Sequence, residues 1–425
     1  MVIWKTDKLR NLPIEFVDGD RSSKYPKRSE FVSEGIPFLN AESINQGYLN
    51  LSKANFITRE KFSSIKKGRL QGGDLILTTR GNGVGKAAYF FGKPSTGLIN
   101  AQLLIIRPEQ KHIFPRFLYY SFINPYFQGT LKNFVSGSAQ PQLPIQSLRE
   151  VELSYPPLPI QRKIAAILSA YDRLIENNTR RIEILEEMAR SIYREWFVKF
   201  RFPGHEQVQM VDSELGLIPE GWKMGGVIDF GEVITGKTPS KAKPEYYGDY
   251  MPFIKTPSMH GNMFCIEVDE YLSKQGVASQ RNKILPPNCL LVNCIGALAG
   301  SVSITSTDSQ TNQQINAVVL KNKEDREFLY FNLVDLKELI RQYGSNGATM
   351  INLNKSKFEA LPAVHPELET LSAFHKLTFP QFDLIKNLQI KNIKLRKTRD
   401  LLLPRLISGE IDVKNLDINT GEIAA

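Results

Sequence analysis

Cysteine and histidine are scarce in this sequence. Three cysteines and five histidines are spread along 425 residues, and no two cysteines form a CxxC pair. Zinc sites need ligands at short fixed spacings, and disulfide-stapled domains need more cysteine than this. We therefore expect no metal site and no disulfide framework, and Cys265, Cys289 and Cys294 fit a reducing compartment.

Long apolar runs are also missing. The chain has no stretch of about 18 consecutive apolar residues, which is the length that a membrane-spanning helix needs. Several charges lie near its start, among them Lys5, Asp7 and Lys8, so no secretory signal is expected. Both features predict a cytoplasmic protein without membrane association.

A nucleotide-binding loop is absent as well, although one stretch comes close. GDLILTTRGNGVGKAAYF, residues 73–90, has the strand, the glycine-rich turn and the lysine of such a loop. Its spacing fails, because Arg80 stands where a Walker loop needs glycine and Ala87 stands where it needs a hydroxyl. The dinucleotide pattern fails too, because Lys86 stands where the third glycine belongs. We interpret the stretch as a strand that turns tightly into another strand.

Other signatures of catalysis are weak. NPYF, residues 124–127, is similar to the Asn-Pro-Pro-aromatic loop of amino-methyltransferases but lacks the second proline. Glu186 and Glu187 lie in a charged helical pattern that is typical of a solvated face. We interpret the chain as a binding protein with no catalytic residues. A self-contained DNA methyltransferase or nuclease stays open as one alternative, and a coiled-coil scaffold without DNA contact as another.

Length and charge point to several domains and an acidic partner. A chain of 425 residues exceeds what one compact core usually holds, so two or more domains are expected. Its 54 Lys and Arg outnumber its 44 Asp and Glu, which gives a net charge of +10. Such an excess favours nucleic acid as a partner without predicting any particular fold.

The chain repeats itself once. The second copy follows the first at an offset that falls from about 218 to about 210 residues, as expected when loops differ in length. Matching segments include GIPFLNAESI and YMPFIKTPSM, INAQLLIIRP and TNQQINAVVLK, and SGSAQPQLPIQSLREVELSYPPL and NGATMINLNKSKFEALPAVHPEL. The glycine-rich turn aligns with PNCLLVNCIGALAGSVSI, which places Cys294 opposite Arg80 and Ser301 opposite Lys86. A unit of this length is a duplicated domain rather than a solenoid repeat.

Each copy has the same order of predicted elements. Short strands come first, then a helical aromatic stretch such as FPRFLYYSFIN, and finally a long helix, which indicates an α+β or mixed α/β fold. The strands are predicted at 75–79 and 102–106 in the first copy, and at 290–293 and 317–320 in the second.

Both long helices carry apolar residues in steps of four and three. The first is expected after YPPLP, residues 155–159, and to about Phe200, and a rod of that length measures roughly 60 Å. In the second, Pro380 and Pro404 should start, kink or end the helix. Ordinary amphipathic core helices are the alternative to a coiled coil. The predicted seam is Ile164, Leu168, Tyr171, Ile175, Asn178, Ile182, Leu185, Ile192 and Trp196, facing Ile385, Leu388, Leu395, Leu402 and Leu406.

With these features the chain resembles the specificity subunit of Type I restriction-modification systems. The resemblance rests on SYPPLPIQRKIAAILSAYDRLIENNTRRIEILEEMARSIYREWFVKFRFPG, residues 154–204, and on KLRKTRDLLLPRLISGEI, residues 394–411. Trp4 and IPEGWK, residues 218–223, introduce the two copies. One departure is PAVHPELETLSAF, from Pro362, which lacks the PLPxQ form of the first copy.

The resemblance implies a non-catalytic, DNA-reading subunit of a prokaryotic, cytoplasmic complex. Two target recognition domains with pseudo-two-fold symmetry would each read half of a split sequence in double-stranded DNA. Two long antiparallel helices would set their spacing and dock two methyltransferase subunits, and restriction-translocase subunits would join them. S-adenosylmethionine, ATP and magnesium would be bound by those partners. The implied division is 1–157 and 201–365 for the recognition domains, 158–200 and 366–411 for the helices, and 412–425 for a flexible tail.

Candidate DNA contacts are basic and polar residues at loop positions, where phosphates and base edges can be reached. In the first copy they are Arg21, Lys24, Lys27, Arg28, Arg80, Asn82, Lys86, Ser138 and Gln140. In the second copy they are Lys237, Thr238, Lys241, Lys243, Asn346 and Thr349.

Overall fold

The computed structural model describes residues 3–45, 47–92, 96–137, 139–213, 216–345 and 351–421. These residues form two compact units. The first unit comprises Met1–Ile175 and Leu395–Ala425, and the second comprises Glu176–Lys394. The unit boundary falls inside both long helices, so each unit contains one part of each helix.

The strands of both units are short. Those of the first unit are β1 (Lys5–Lys8), β2 (Ile14–Asp18), β3 (Ile36–Leu39), β4 (Ile44–Asn45), β5 (Tyr48–Leu49), β6 (Asn55–Ile57), β7 (Leu75–Thr78), β8 (Ala87–Tyr89), β9 (Leu98–Ile99), β10 (Leu103–Pro108) and β11 (Glu152–Tyr155). Those of the second are β12 (Met210–Ser213), β13 (Gly216–Pro219), β14 (Lys223–Gly226), β15 (Gly231–Thr235), β16 (Tyr247–Gly248), β17 (Met251–Ile254), β18 (Phe264–Cys265), β19 (Tyr271–Leu272), β20 (Leu290–Asn293), β21 (Val302–Thr305), β22 (Gln310–Thr311), β23 (Ile315–Leu320) and β24 (Pro362–His365).

Two of the helices are far longer than the others. The helices are α1 (Arg59–Ser64), α2 (Pro115–Ile123), α3 (Pro125–Lys132), α4 (Ile145–Arg149), α5 (Leu158–Tyr193), α6 (Val227–Phe230), α7 (Thr256–Met259), α8 (Lys274–Ala278), α9 (Arg326–Asp335), α10 (Lys337–Ser345), α11 (Lys355–Glu359) and α12 (Leu368–Ile407). A single π-helical turn, Arg194–Val198, follows α5. The α+β fold class is confirmed, and the predicted aromatic helix at Phe114 corresponds to α2.

The sheets show the duplication directly. The first unit has a sheet of order β2-β10-β7-β8 and a second of order β6-β3-β9. The second unit repeats both orders with one additional strand in each sheet, as β15-β23-β20-β21-β18, where β18 is added, and β16-β19-β17-β22, where β16 is added. Even the exceptional parallel pair recurs, because β3 runs parallel to β9 and β17 runs parallel to β22. The predicted internal repeat is therefore a repeat of structure.

Apolar residues cover both faces of the central sheet in each unit. In the first unit, Leu75 and Leu77 pack against α2 on one face of the sheet. Ile76 packs on the other face, in the cluster that includes β3. Successive side chains of a strand point to opposite faces, so a strand buried on both sides is a continuous apolar run. The same division separates Leu290 from Leu291 in β20.

The two long helices pack antiparallel within each unit. In the second unit, Asn178 of α5 lies opposite Asn392, and Trp196 farther along contacts Phe374. In the first unit, Asp172 of α5 accepts a hydrogen bond from Arg399 of α12 at 2.7 Å. The helix α5 begins at Leu158, inside YPPLP and not after it as predicted, because Pro159 occupies its first turn, where a missing N–H costs nothing.

Neither proline of the second long helix begins or ends it. The helix α12 passes continuously through Pro380 and Pro404, so of the predicted start, kink or end the first and last are wrong, and a kink stays a prediction. Pro380 leaves the carbonyl of Lys376 without its helical N–H, but both residues are exposed, so water can satisfy that oxygen. Phe374 and Phe382 on either side are fully buried, and their packing holds the helix together.

The segment after α12 differs from the predicted flexible tail. Val413 is only 1% exposed, and it packs in the core of the first unit with Ile411 and Ile418 at its edge. The ammonium of Lys163 donates to the carbonyls of Lys414 and Leu416 at 2.8 and 2.7 Å. The apolar residues of this segment follow neither a helix nor a strand period. The sequence pattern therefore did not predict that they pack against the first unit.

Candidate nucleic-acid interface

The glycine-rich turn between β7 and β8 is fixed by its own backbone. The N–H of Gly81 donates to the carbonyl of Pro141 and that of Gly85 to Thr78, both at 2.9 Å. Gly81 and Gly85 have φ near 87° and 89°, a region that glycine adopts without strain. Lys86 donates its amide to Gly83. Because these amides already have protein acceptors, they are not available to cradle a phosphate, which agrees with the failed Walker spacing.

The turn lines a surface groove with a volume of about 520 Å³. The groove brings together three of the predicted contacts, Arg80, Asn82 and Lys86. Sequence reasoning missed five polar residues in the same lining, Glu42, Asn45, Asn50, Lys53 and Gln102. The full lining is Ala41, Glu42, Ile44, Asn45, Asn50, Lys53, Arg80, Gly81, Asn82, Gly83, Lys86 and Gln102.

The floor of the groove holds an oriented amide. Asn100 donates to the side-chain oxygen of Gln102 at 3.0 Å, and its own oxygen accepts the Gln102 backbone N–H at 2.9 Å. Among the described residues the Gln102 side-chain nitrogen has no acceptor, so it can donate into the groove next to Gly81. The same polar pair recurs in the second unit as Asn312 and Gln314. This recurrence, visible in the repeated INAQ and TNQQ segments, is the signal that could have identified Gln102.

One wall of the groove is anchored to the long helices of the first unit. Ile44 and Asn45 belong to the β4–β5 hairpin, whose Tyr48 donates to Asp172 at 3.2 Å. Arg399 donates to the Tyr48 hydroxyl at 2.8 Å, and Tyr120 donates to the other oxygen of Asp172 at 2.6 Å. Burial first, and then the charge of Asp172, raise the pKa of Tyr48 to about 12. The hairpin is thus held by the neutral phenol of Tyr48, which is hydrogen-bonded to the half-buried ion pair of Asp172 and Arg399.

The equivalent turn in the second unit has the same backbone and different side chains. Gly296 donates to Ile351 at 2.9 Å and Gly300 to Asn293 at 2.8 Å, as Gly81 and Gly85 do in the first unit. Gly296 and Gly300 also have left-handed φ values, near 84° and 86°. The paired left-handed glycines, four residues apart, define the alignment of the two turns.

That alignment corrects one predicted equivalence. Ile295, and not Cys294, stands in the place of Arg80, because each directly precedes the first left-handed glycine. Cys294 instead corresponds to Thr79, since the N–H of each donates to a glutamine carbonyl at 2.8 Å. The predicted match of Ser301 with Lys86 agrees with the backbone pattern. Neighbouring glycines allowed more than one sequence alignment, and only the φ values distinguish them.

The basic loops lie after equivalent strands, outside the residues that line the groove. In the first unit Lys24, Lys27 and Arg28 are exposed, while Arg21 is paired with Asp18 at 2.9 Å. In the second unit Lys237 and Lys241 are exposed. Thr238 donates to Gln313 at 2.6 Å, and Lys243 lies over the ring of Tyr246.

The remaining candidates divide between exposed and undescribed positions. Gln140 is exposed beside the turn that ends at Gln142. Ser138, Asn346 and Thr349 lie outside the described residues.

The residues of the predicted seam are buried or half-buried on α5 and α12. Asn178 donates to Asn392 of α12 at 2.9 Å, so two buried amides are partners across the helix pair. In the first unit Ile164 and Leu168 share a core with Leu406, and Leu402 packs at its edge. In the second unit Ile385 is fully buried, with Ile182, Leu185, Ile192 and Trp196 packed against the same core. Tyr171 and Leu395 are half-buried, and Ile175 and Leu388 are buried.

Reactive groups are few in the described ranges. Burial raises the pKa of all three cysteine thiols to about 12, which leaves them un-ionised and poor nucleophiles. Across the described ranges no set of three or more His, Cys, Asp or Glu side chains is arranged to hold a metal ion. No helix among the same residues combines the length and apolar character needed to span a membrane.

Comparison with known proteins gives the family. The family model described as "Type I restriction modification DNA specificity domain" matches residues 15–187 and 219–392, one copy for each half of the repeat. The chain belongs to this family. The prediction from the sequence motifs is thereby confirmed, and the chain is a Type I specificity subunit with two such domains.

Relatives of this specificity subunit match along nearly their whole length. The Type I restriction enzyme HindI specificity subunit of Haemophilus influenzae is 28% identical, over 93% of this chain and 99% of its own. The MjaIX specificity subunit of Methanocaldococcus jannaschii is 26% identical, over 97% and 94%. The crystal structure of an S subunit from M. genitalium is 14% identical with a TM-score of 0.61, covering 95% of this chain and 96% of its own, and it shows the same fold.

Proposed function

We propose that this specificity subunit recognises a bipartite sequence in double-stranded DNA, each domain reading one half. The observation that carries the proposal is the duplicated turn. Both units have the same glycine turn between equivalent strands, yet the side chains that the turn exposes differ completely. A constant backbone with variable side chains is what two readers of different half-sites require, because base edges are distinguished by side-chain donors and acceptors and by apolar contact with the thymine methyl.

The proposal assigns residues 1–157 and 201–365 to the two target recognition domains. Residues 158–200 and 366–411 form the long helices that separate these domains and scaffold the assembly. Two methyltransferase subunits and the restriction-translocase subunits are the expected partners. This chain contributes no catalytic residue, and S-adenosylmethionine, ATP and magnesium belong to the partners, in the cytoplasm of a prokaryote.

Domain exchange tests the proposal. Residues 1–157 are replaced by the corresponding segment of another family member, and in a matched variant residues 201–365 are replaced instead. Each variant is expressed with its methyltransferase partner, and the methylated positions in the host genome are mapped. We expect the first exchange to alter one half of the target and the second exchange to alter the other half. A change in both halves from a single exchange, or no methylation pattern dependent on this chain, would contradict the proposal.

A further inference from the structure

The groove of the first unit is rich in charge. Lys53 and Lys86 are exposed along it, and Arg80 is half-exposed, with Glu42 as the one acidic residue of the lining. Within the described part of the chain these three cations form no ion pair, in contrast to Arg107, which is bound to Asp74 and Glu15. Their charges are therefore available to a ligand.

The equivalent positions of the second unit carry no charge. Ile295 replaces Arg80 and Ser301 replaces Lys86, as the paired left-handed glycines establish. Strand register supplies the other two positions. Phe56 pairs with Pro37 as Tyr271 pairs with Pro252, so Val268 stands in the place of Lys53. Leu39 and Ile254 end equivalent strands, which places Pro257 opposite Glu42.

The second turn is apolar at its tip as well as uncharged. Ala297 and Leu298 are exposed where the first unit has Asn82 and Gly83, and Leu298 is 37% exposed. The Ser301 hydroxyl is used by the turn itself, since it donates to the carbonyl of Leu298 at 2.8 Å. An apolar tip of this kind suits van der Waals contact with a thymine methyl or a sugar better than contact with a phosphate.

We propose that these equivalent positions hold DNA by different chemistry in the two units, in the first through ionic contacts from Lys53, Arg80 and Lys86, and in the second through the uncharged side chains that replace them. This inference rests on the proposed function. Each phosphate contact releases condensed counterions and makes the logarithm of the binding constant fall with the logarithm of salt by about 0.9. The contribution of this turn to salt dependence should therefore come from the first unit.

The test measures this slope on the full chain assembled with its methyltransferase partner. Fluorescence anisotropy on a duplex carrying the mapped target is recorded from about 50 to about 200 mM salt. The variant K53A/R80A/K86A should lower the slope by about 2 to 3, since three cations are removed. S301K, which adds a cation at the matching place in the second unit, should raise it by about 1. The control K111A, beyond the far end of β10, should leave it unchanged.

The outcomes separate this inference from the proposed function. If the wild-type complex shows no preference for its mapped target over a scrambled duplex, the proposed function fails and the inference with it. If it prefers the target but the triple variant keeps the wild-type slope, only the inference is overturned. Equal circular dichroism melting curves for wild type and variant establish that the variant is folded, as expected for exposed and half-exposed positions. R80A and K86A alone, each expected to lower the slope by about 1, give the same answer should the triple variant not fold.

Discussion

Arg80 combines a fixed backbone with a guanidinium that forms no ion pair with any described residue. Its main chain is bridged to Gln142, and its side chain reaches into the groove beside Gln102. The guanidinium fork matches the O6 and N7 acceptors of guanine, whereas a lysine ammonium is a single point charge. We expect R80K to keep the salt dependence of binding but to lose discrimination at one G·C pair of the first half-site, by about 1–3 kcal/mol.

Target selection from a randomised duplex library measures this loss. The substitution K111R serves as the control, because it exchanges the same two residue types outside the groove, and it should leave base preference intact. An R80K protein that selects the same bases as wild type at every position would show that Arg80 contacts only phosphate.

Asp325 introduces a pH dependence into the second unit. Burial, with Glu324 nearby, raises its pKa from 3.8 to about 6, while His375 opposes the shift. Between these pH values the folded chain binds this proton more tightly than the unfolded chain does. Stability contributed by this group is therefore present at low pH and is lost as the pH rises to about 6.

The substitution D325N removes the ionisable carboxyl group, and with it the cost of a buried negative charge at neutral pH. We expect it to raise the free energy of unfolding at pH 7 by about 2–3 kcal/mol, and the gain should vanish below about pH 4. Urea unfolding monitored across this pH range measures the difference. The exposed Asp249 provides the matched control, since D249N should shift stability equally little at every pH. A gain for D325N that did not depend on pH would assign it to packing instead of ionisation.

At the scale of elements, Pro380 allows the free-energy cost of a proline inside a packed helix to be measured. An interior proline costs a helix about 3 kcal/mol relative to alanine. The substitution P380A supplies an N–H at position 380 that can donate to the carbonyl of Lys376. We therefore expect it to stabilise the chain by about 1–3 kcal/mol. Thermal unfolding measures the gain, with K376A on the same turn as the control for helix propensity. If P380A were less stable than the wild type, contacts of the proline ring would have to stabilise the folded chain.

The elements themselves were largely predictable from sequence. Strands such as β7 and β20 are continuous apolar runs, and the seam of α5 has a period that only a long helix explains. Tertiary contacts decided the rest. The α12 prolines are overridden by buried phenylalanines, and the alignment of the second turn depends on φ values that neighbouring glycines obscure. Lys53 and Gln102 are distant from Arg80 in sequence, so only folding shows that they share a groove.

At the scale of the whole molecule, the last residues should stabilise one unit and not the other. Val413 is buried in the core of the first unit, and Lys163 at the start of α5 holds the carbonyls of Lys414 and Leu416. Burying a valine contributes about 1.5–3 kcal/mol, and each hydrogen bond about 1 kcal/mol. A chain that ends at Glu410 should therefore lose about 3.5–5 kcal/mol in its first unit.

Hydrogen exchange distinguishes the two units in a single experiment. The shortened chain should exchange faster in β7 and β10, while β20 and β23 of the second unit keep their protection, because their core contains no residue after Ile385. A chain that ends at Asn419 keeps Val413 and Ile418 and should match the full-length protein. Equal loss of protection in both units would show that the terminal segment acts on the stability of the whole chain.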